Sequence, residues 1–424
     1  MRQPSLARLA TATLAVALVA GVSACGSPGQ DPDAVTLDFF QFKPEAADTF
    51  DAIVADFEAA NPDIDVVVNT VPDPDTAIRA LLVKGKTPDV LTLNGSGNFG
   101  LLAKAGVFHD FTGDPVLERI NPGVQDILGD LGTFEGREVN ALGFSSNANG
   151  ILYNREIFAE HGLEPPQTWA ELIDVCERLE AAGVTPFYGT LADAWTTQPS
   201  FNGLGAYAAQ DGFFDDLRAE GADVGPDAPV SFERDFDTTL TRMQQAYTFV
   251  QDGYRGRTYD DGNAALANGE VAMLMQGIWA TSQIQAVNPD IDLGVFPYPA
   301  DDAGDTLLVS GVDVAVTIGR DTPHLAEAKR FVDYLFTPEV LDRYAAEQHM
   351  FSPSATSTGT DDPMLAELQP YFDDGRITGF IDHQVPPSIP LAAVLQQGIF
   401  DGDGERALAT LDNEWRKVAA RTGE

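Results

Sequence analysis

Cysteine and basic side chains are scarce in this chain of 424 residues. Its two cysteines are too few for a disulfide scaffold or for a zinc site built on cysteine. Only 25 Lys and Arg stand against 65 Asp and Glu, which argues against a nucleic-acid partner because phosphate binding relies on basic side chains. After the first 24 residues, no apolar run approaches the roughly 18 residues that a membrane span needs, so we expect the body of the chain to be water-soluble.

Recognisable catalytic motifs are missing as well. The five histidines form no metal-binding pair, and Gly85-Lys86-Thr87 lacks the earlier glycine of a phosphate-binding loop. Asp401-Gly402-Asp403-Gly404-Glu405 resembles the start of a calcium loop, but Arg406 occupies the place of the required glycine. We therefore expect a binding protein without metal or cofactor, although the many carboxylates do not exclude a glycosidase pair by count.

The first 24 residues predict an export signal. Arg2 and Arg8 give a basic start, and the apolar run over residues 9–19 is too short to span a bilayer. The run ends in Val22-Ser23-Ala24-Cys25, which resembles the lipobox of bacterial lipoproteins and implies that Cys25 is lipidated. The alternative is an ordinary secretory signal with an incidental cysteine. Residues 25–34 are rich in Gly, Ser, Pro and Asp, which is typical of a flexible tether.

The body of the chain alternates strand and helix patterns. Residues 35–40 and 64–68 read as strands, and between them Phe50, Ile53, Val54 and Phe57 share one helical face. A third strand leads to Asn94. This order predicts right-handed crossovers, a largely parallel sheet and ligand binding beyond the carboxyl ends of its strands.

Later segments add two further expectations. Thr168 and Glu171 have the spacing of a capping box, and the helix that follows places Cys176 on its buried stripe, where it is expected to be a core residue. Residues 211–236 are rich in Asp, Gly and Pro, which predicts a surface excursion.

One stretch carries a family resemblance. Gly269-Glu270-Val271-Ala272-Met273, followed by Gly277 and Trp279, is similar to the G-[KE]-x-A-M-x-x-x-G-x-W motif of extracellular solute-binding proteins of ABC importers. The matching branch is the sugar-binding one that includes the maltose-binding proteins. Four other stretches resemble elements of the same family in the same order: residues 102–112, 150–154, 310–316 and 328–335.

The resemblance implies a two-lobed α/β fold, in which each lobe is a mostly parallel sheet flanked by helices and hinge crossovers join the lobes. Lobe 1 would hold residues 35–144 and 311–350, and lobe 2 residues 147–308 and 351–424. A sugar would bind in the cleft between them, the lobes would close by hinge bending, and the closed protein would dock on the transmembrane subunits of an ABC permease. The chain would be exported and held by its lipid at the outer face of the cell membrane.

Sugar rings have apolar faces and hydroxyl rims, so a sugar site needs aromatic platforms beside amides or carboxylates. Nine side chains at predicted strand ends, loops and hinges could supply them, and Trp279 is the foremost: Phe40, Gln41, Asn94, Ser96, Asn147, Tyr188, Trp195, Trp279 and Asp313. Each has an alternative reading as a core residue, a turn former or a hinge support.

Other ligand classes stay open. The same fold would serve a polyamine, a peptide or an organic anion, although Arg79 is the only candidate for an anion clamp near a strand end. A lipoprotein glycoside hydrolase is a further alternative.

Overall fold

A computed structural model describes residues 34–71, 74–357 and 359–422 of the chain. The export signal, Cys25 and nearly all of the tether fall outside these residues. The strands are β1 (Val35–Gln41), β2 (Ile64–Thr70), β3 (Val90–Leu93), β4 (Leu142–Asn154), β5 (Thr185–Phe187), β6 (Val271–Gly277), β7 (Leu293–Phe296), β8 (Leu308–Ile318) and β9 (Ile377–Thr378). The α-helices are α1 (Ala47–Ala60), α2 (Pro74–Val83), α3 (Gly97–Lys104), α4 (Pro122–Leu131), α5 (Arg155–Glu160), α6 (Trp169–Ala181), α7 (Gln198–Gly205), α8 (Phe213–Glu220), α9 (Phe232–Asp235), α10 (Asp237–Ala246), α11 (Tyr259–Ala267), α12 (Thr281–Val287), α13 (Leu325–Leu335), α14 (Pro338–Gln348), α15 (Pro363–Ala366), α16 (Gln369–Asp373), α17 (Leu391–Asp401) and α18 (Gly404–Thr422).

The strands form a mixed sheet in the order β2-β1-β3-β8-β4-β6-β5, with β7 paired to β4 and β9 to β8. The parallel pairing predicted for the first three strands is confirmed, since β1 lies parallel to both β2 and β3. The sheet is not largely parallel as a whole, because the long strands β4 and β8 run antiparallel to each other and to most of their neighbours.

Three chain segments cross the middle of the molecule at one level. In β4 and β8, Asn147 lies opposite Gly311, and the register of this pair is irregular just before that point, between Gly143 and Ser146. The third segment pairs with β4 through two backbone hydrogen bonds of 3.1 and 2.9 Å between Ser146 and Phe351. These crossings lie close to the predicted hinges.

The apolar core falls into separate clusters on either side of these crossings. Two clusters draw their buried residues from between 37 and 144 and between 312 and 344. Two others draw theirs from between 148 and 308 and between 350 and 415. The exact boundaries of the two lobes stay a prediction.

Local signals account for several of the elements. In α1, the predicted apolar face of Phe50, Ile53, Val54 and Phe57 is buried. The capping box before α6 is confirmed, because the Thr168 side chain accepts from the Glu171 backbone N–H and the Glu171 side chain accepts from that of Thr168. Cys176 is fully buried, as predicted, and its burial raises the pKa of the thiol.

The predicted surface excursion at residues 211–236 is wrong. The segment forms α8 and α9, and Phe213, Phe214, Phe232 and Phe236 from it are buried in the core of the second half. Within the ranges that the structure describes, none of the helices combines the length and the apolar character that crossing a bilayer requires.

Candidate ligand-binding cleft

Two adjoining cavities lie at the carboxyl ends of β1 and β3. The large cavity, of about 850 Å³, runs between the start of α3 and the segment before α17. The small cavity, of about 220 Å³, reaches the crossing strands β4 and β8. Lys43, Glu45, Asn94, Trp195 and Asp382 line both cavities, so the two form one continuous cleft.

Six of the nine predicted site residues line this cleft. Asn94 and Trp195 line both cavities, and Ser96 lines the large one. The other three, Asn147, Trp279 and Asp313, line the small cavity. The structure therefore brings together residues from five separate stretches of the chain.

The other three predicted residues lie outside the cleft. Phe40 is fully buried against the cluster that contains Ile78 and Phe99, because its position in β1 directs the ring into the core beneath the strand. Gln41 is also fully buried, and its side-chain amide donates to the backbone oxygen of Lys43 at 2.7 Å. Tyr188 is half-buried and packs against the core cluster around β6.

A buried polar network forms the floor of the cleft. The Lys43 ammonium forms an ion pair with the Asp313 carboxylate and lies 3.8 Å from Glu45. Asn147 donates from Nδ2 to Oδ1 of Asp313 at 3.2 Å, and Asn94 donates to the Asp313 backbone oxygen at 3.2 Å. Only 3 % of the Lys43 side chain and 7 % of the Asp313 side chain are exposed, so solvent hardly screens this pair.

Negative charge is in excess around the cleft. Among the described residues that line the two cavities, Lys43 is the only Lys or Arg, whereas Glu45, Asp313 and Asp382 each carry a carboxyl group. Burial raises the pKa of Glu45, and the nearby Lys43 ammonium opposes this only in part. Burial also lowers the pKa of His383, against the opposing effect of Asp382, which favours a neutral imidazole.

An aromatic wall stands beside the polar floor. The Trp279 indole N–H donates to Oε1 of Gln276 at 3.2 Å, and its ring centre lies 6.3 Å from that of Phe380. Phe380 in turn stacks on His383, with ring centroids 5.2 Å apart. Trp195 is 40 % exposed and rests edge-on against Tyr259 at a centroid distance of 5.0 Å.

Sequence reasoning missed several lining residues. Lys43 and Glu45 follow β1 directly, so the rule that ligands bind beyond strand ends could have found them. Phe380, Asp382 and His383 have no comparable signal, because they lie at a single 3-10 turn (Ile381–Gln384) between β9 and α17 and do not follow a predicted strand of the sheet. Asp382 is held there by Gln198, whose Nε2 donates to its Oδ2 at 2.7 Å.

Two buried acceptor atoms of the cleft have no hydrogen-bond partner among the described residues: Oδ1 of Asn147 and Oδ1 of Asp382. Buried acceptors are normally paired, so both oxygens are available to hydroxyl or amino groups of a bound ligand. The described residues contain no cluster of three His, Cys, Asp or Glu side chains that could hold a metal ion. The arrangement is therefore equipped for reversible binding through rings, amides and carboxylates.

This cleft, set beside strands that cross between two core regions, is that of a two-lobed solute-binding protein. The chain belongs to the family of bacterial extracellular solute-binding proteins, whose family model matches residues 43–341. The resemblance drawn from the sequence is thereby confirmed.

Three relatives illustrate the similarity. The multiple sugar-binding protein of Streptococcus mutans serotype c is 28 % identical over 318 residues, which cover 74 % of this chain and 73 % of the relative. The sn-glycerol-3-phosphate-binding periplasmic protein UgpB of Salmonella typhimurium is 24 % identical over 393 residues, or 87 % of this chain and 85 % of the relative.

The third relative is a solved structure. The solute-binding protein RafE in complex with raffinose has a TM-score of 0.80 at 27 % identity, covering 91 % of this chain and 100 % of that one. The apo form of RafE from Streptococcus pneumoniae has a TM-score of 0.73 at 27 % identity, covering 92 % of this chain and 100 % of that one. This chain is thus more similar in shape to the ligand-bound form.

Proposed function

We propose that this protein captures a sugar in the cleft between its lobes and delivers it to the membrane subunits of an ABC importer. Its similarity to a multiple sugar-binding protein and to the raffinose complex of RafE supports this proposal. The family and these relatives are binding proteins, and we propose that no bond of the ligand is broken.

The observation that carries the proposal is the composition of the small cavity. It sets the Trp279 indole beside the Asn147 amide and the Asp313 carboxylate within about 220 Å³. A sugar ring presents apolar C–H faces and a rim of hydroxyl groups, which is the pattern that such neighbours recognise. The other predicted lining residues, Asn94, Ser96 and Trp195, would contact the part of the ligand that extends into the large cavity.

A polyamine is the second candidate ligand. Three carboxyl groups against one ammonium line the cleft, and two tryptophans lie beside them. Carboxylates and aromatic faces both attract ammonium groups. A binding comparison with raffinose and spermidine separates the two candidates.

Trp279→Ala tests the sugar site. We expect raffinose to raise the melting temperature of the wild type, since a ligand at a hundredfold excess over its Kd stabilises a protein by about 2.7 kcal/mol. The variant should lose most of this shift while still unfolding cooperatively, because it loses the aromatic platform. The measurement is thermal unfolding with and without raffinose, other oligosaccharides and spermidine.

Tyr188→Ala is the matched control. Tyr188, like Trp279, is a half-buried aromatic residue of the predicted lobe 2, but it lies outside both cavities. It should keep the full ligand-induced shift. An unchanged shift in Trp279→Ala would remove Trp279 from the site, and a shift with spermidine alone would replace the sugar by a polyamine.

We further propose that Cys25 carries a lipid that anchors the exported chain to the outer face of the cell membrane. The support is the Val22-Ser23-Ala24-Cys25 sequence after a short apolar run. In cells fed labelled palmitate, the wild type should become labelled and fractionate with membranes, whereas Cys25→Ser should remain unlabelled. Equal labelling of both proteins would contradict the anchor.

A further inference from the structure

We propose that the Lys43–Asp313 ion pair determines whether the cleft binds charged or uncharged ligands. Because Asp313 already pairs with the Lys43 ammonium, the cleft accepts uncharged sugars and rejects anionic ligands. This inference rests on the proposed function and specifies the ligand for the same cleft.

The Lys43 ammonium already interacts with two carboxyl groups of the protein. Asp313 pairs with it directly, and Glu45 lies 3.8 Å away. The second carboxylate oxygen of Asp313 accepts from Asn147 at 3.2 Å, which fixes the orientation of the carboxylate. An ammonium with two acidic neighbours has little remaining attraction for a phosphate or carboxylate of a ligand.

The backbone also holds Lys43 in place. The Gln41 side chain accepts from the Lys43 backbone N–H and donates to its backbone oxygen, so both polar backbone groups of Lys43 are bound. Gln41 is fully buried and does not line the cleft, but it supports the cleft by holding the backbone of Lys43. Lys43 is thus held at the floor of the cleft by both its main chain and its side chain.

The remaining charges act in the same direction. Asp382 adds a third carboxyl group to the lining, and no Lys or Arg besides Lys43 lines the cavities within the described residues. Arg79, the only candidate in the sequence for an anion clamp, donates to Asn98 at 2.8 Å and does not line the cleft. An anionic ligand would therefore enter a cleft in which negative charge already predominates, and its desolvation would not be compensated.

Removal of the Asp313 carboxylate should release the cation. The probes are raffinose, which is uncharged, and sn-glycerol 3-phosphate, which is anionic, with binding measured by calorimetry at low ionic strength. We expect the wild type to bind raffinose and not glycerol 3-phosphate. Asp313→Asn keeps the size of the side chain and should gain affinity for glycerol 3-phosphate by at least about tenfold, because Lys43 is then free to contact the phosphate.

Two further variants separate the ion pair from overall charge. Asp382→Asn removes the same charge from the same cleft but leaves the Lys43–Asp313 pair intact, so it should gain much less affinity for the anion. Lys43→Met added to Asp313→Asn should abolish the gain. If Asp313→Asn does not unfold cooperatively, Glu45→Gln takes its place, because it removes the other acidic neighbour of Lys43 from a less buried position.

The outcomes separate this inference from the proposed function. Tight binding of glycerol 3-phosphate by the wild type would overturn it, and so would equal gains in Asp313→Asn and Asp382→Asn or no gain in either. A wild type that binds neither raffinose nor any other sugar would end the sugar proposal. In that case, an anion gain confined to Asp313→Asn would still support the role of the ion pair.

Discussion

Gly277 allows the Trp279 ring to fold back over the end of β6. A β-carbon at position 277 would lie 2.6 Å from the Ala148 backbone oxygen and would overlap the six-membered part of the indole. The glycine is therefore needed for close packing between β6, β4 and the ring. Its backbone is extended, so the requirement comes from space and not from its dihedral angles.

Gly277→Ala should move the Trp279 ring and weaken raffinose binding without touching the ligand. We expect about 1–3 kcal/mol of lost stability, which is typical of overpacking, together with a large drop in affinity. Gly256→Ala is the control, since nothing lies within 4 Å of the corresponding β-carbon. Calorimetry and urea unfolding of both variants provide the comparison, and wild-type affinity in Gly277→Ala would contradict the steric role.

Single residues of the cleft could be predicted from the sequence only in part. Trp279 could be predicted from the sequence because it belongs to a family motif, two positions after a glycine, and the structure places it at the cleft. Phe40 is a core residue and not a cleft residue, and the sequence could not show this, because a strand end has two faces and nothing local indicates which of them meets the core. The position of Lys43 directly after β1 could have marked it as a lining residue, but its pairing with Asp313 could not be predicted, because the two residues are 270 positions apart.

Among the helices, α15 shows how a cap ties two parts of the chain together. Asp362 caps this helix by accepting from the backbone N–H of Met364 at 2.8 Å. It also lies 2.6 Å from Nδ1 of His349, which ends α14 in a left-handed conformation. Burial raises the pKa of Asp362, but its hydrogen bonds with His349 and the backbone outweigh that effect and leave the pKa lowered.

Asp362→Ala should lower the free energy of unfolding by about 1–2 kcal/mol at neutral pH, as the loss of a helix cap does. Because the folded-state pKa is below the ordinary value of 3.8, this stabilisation is present above that value and is lost as the pH falls through the folded-state pKa. The difference between variant and wild type should therefore shrink in acid. Asp361→Ala, at the exposed neighbouring position, is the control for urea unfolding at both pH values.

Elements with strong local signals were predictable, and those without them were not. The capping box of α6 and the apolar face of α1 involve spacings of three and four residues, which the sequence displays directly. Residues 211–236 were wrongly predicted to be a surface excursion because their Asp, Gly and Pro content is typical of loops. Phe214 and Phe232 of that segment pack against Trp415 of α18, and only the folded chain brings α18 beside them.

Across the whole molecule, the two sides of the cleft touch at the start of α3. A β-carbon on Gly97 would lie 3.2 Å from the His383 backbone oxygen and 3.3 Å from Cγ of Pro387. In the predicted division of the chain, Gly97 belongs to lobe 1 and the other two residues to lobe 2. The missing side chain thus permits a close approach of the lobes.

Gly97→Val should hold the lobes apart and disfavour the closed form. A shift of about 1.4 kcal/mol in that equilibrium would weaken apparent raffinose affinity about tenfold, with little effect on the fold. Gly129→Val in α4 is the control, because open space surrounds its β-carbon position. Small-angle scattering with saturating raffinose should give a larger radius for Gly97→Val than for the control, and equal radii and affinities would contradict the steric contact.

The topology was predictable up to the crossing strands. Short connections between β1, α1, β2, α2 and β3 imply parallel pairing, and the structure has it. The antiparallel pairing of β4 with β8 could not be predicted, because these strands are more than 150 positions apart and local patterns carry no information about their relative direction.

The inaccessibility of Cys176 has a practical consequence. It is the only cysteine among the residues that the structure describes, and its raised pKa and full burial keep the thiolate from forming. In a mature domain without Cys25, a cysteine introduced on an exposed position near the cleft mouth would then be the single reactive thiol. A maleimide dye attached there would report ligand capture by fluorescence, without any need to mutate the native core.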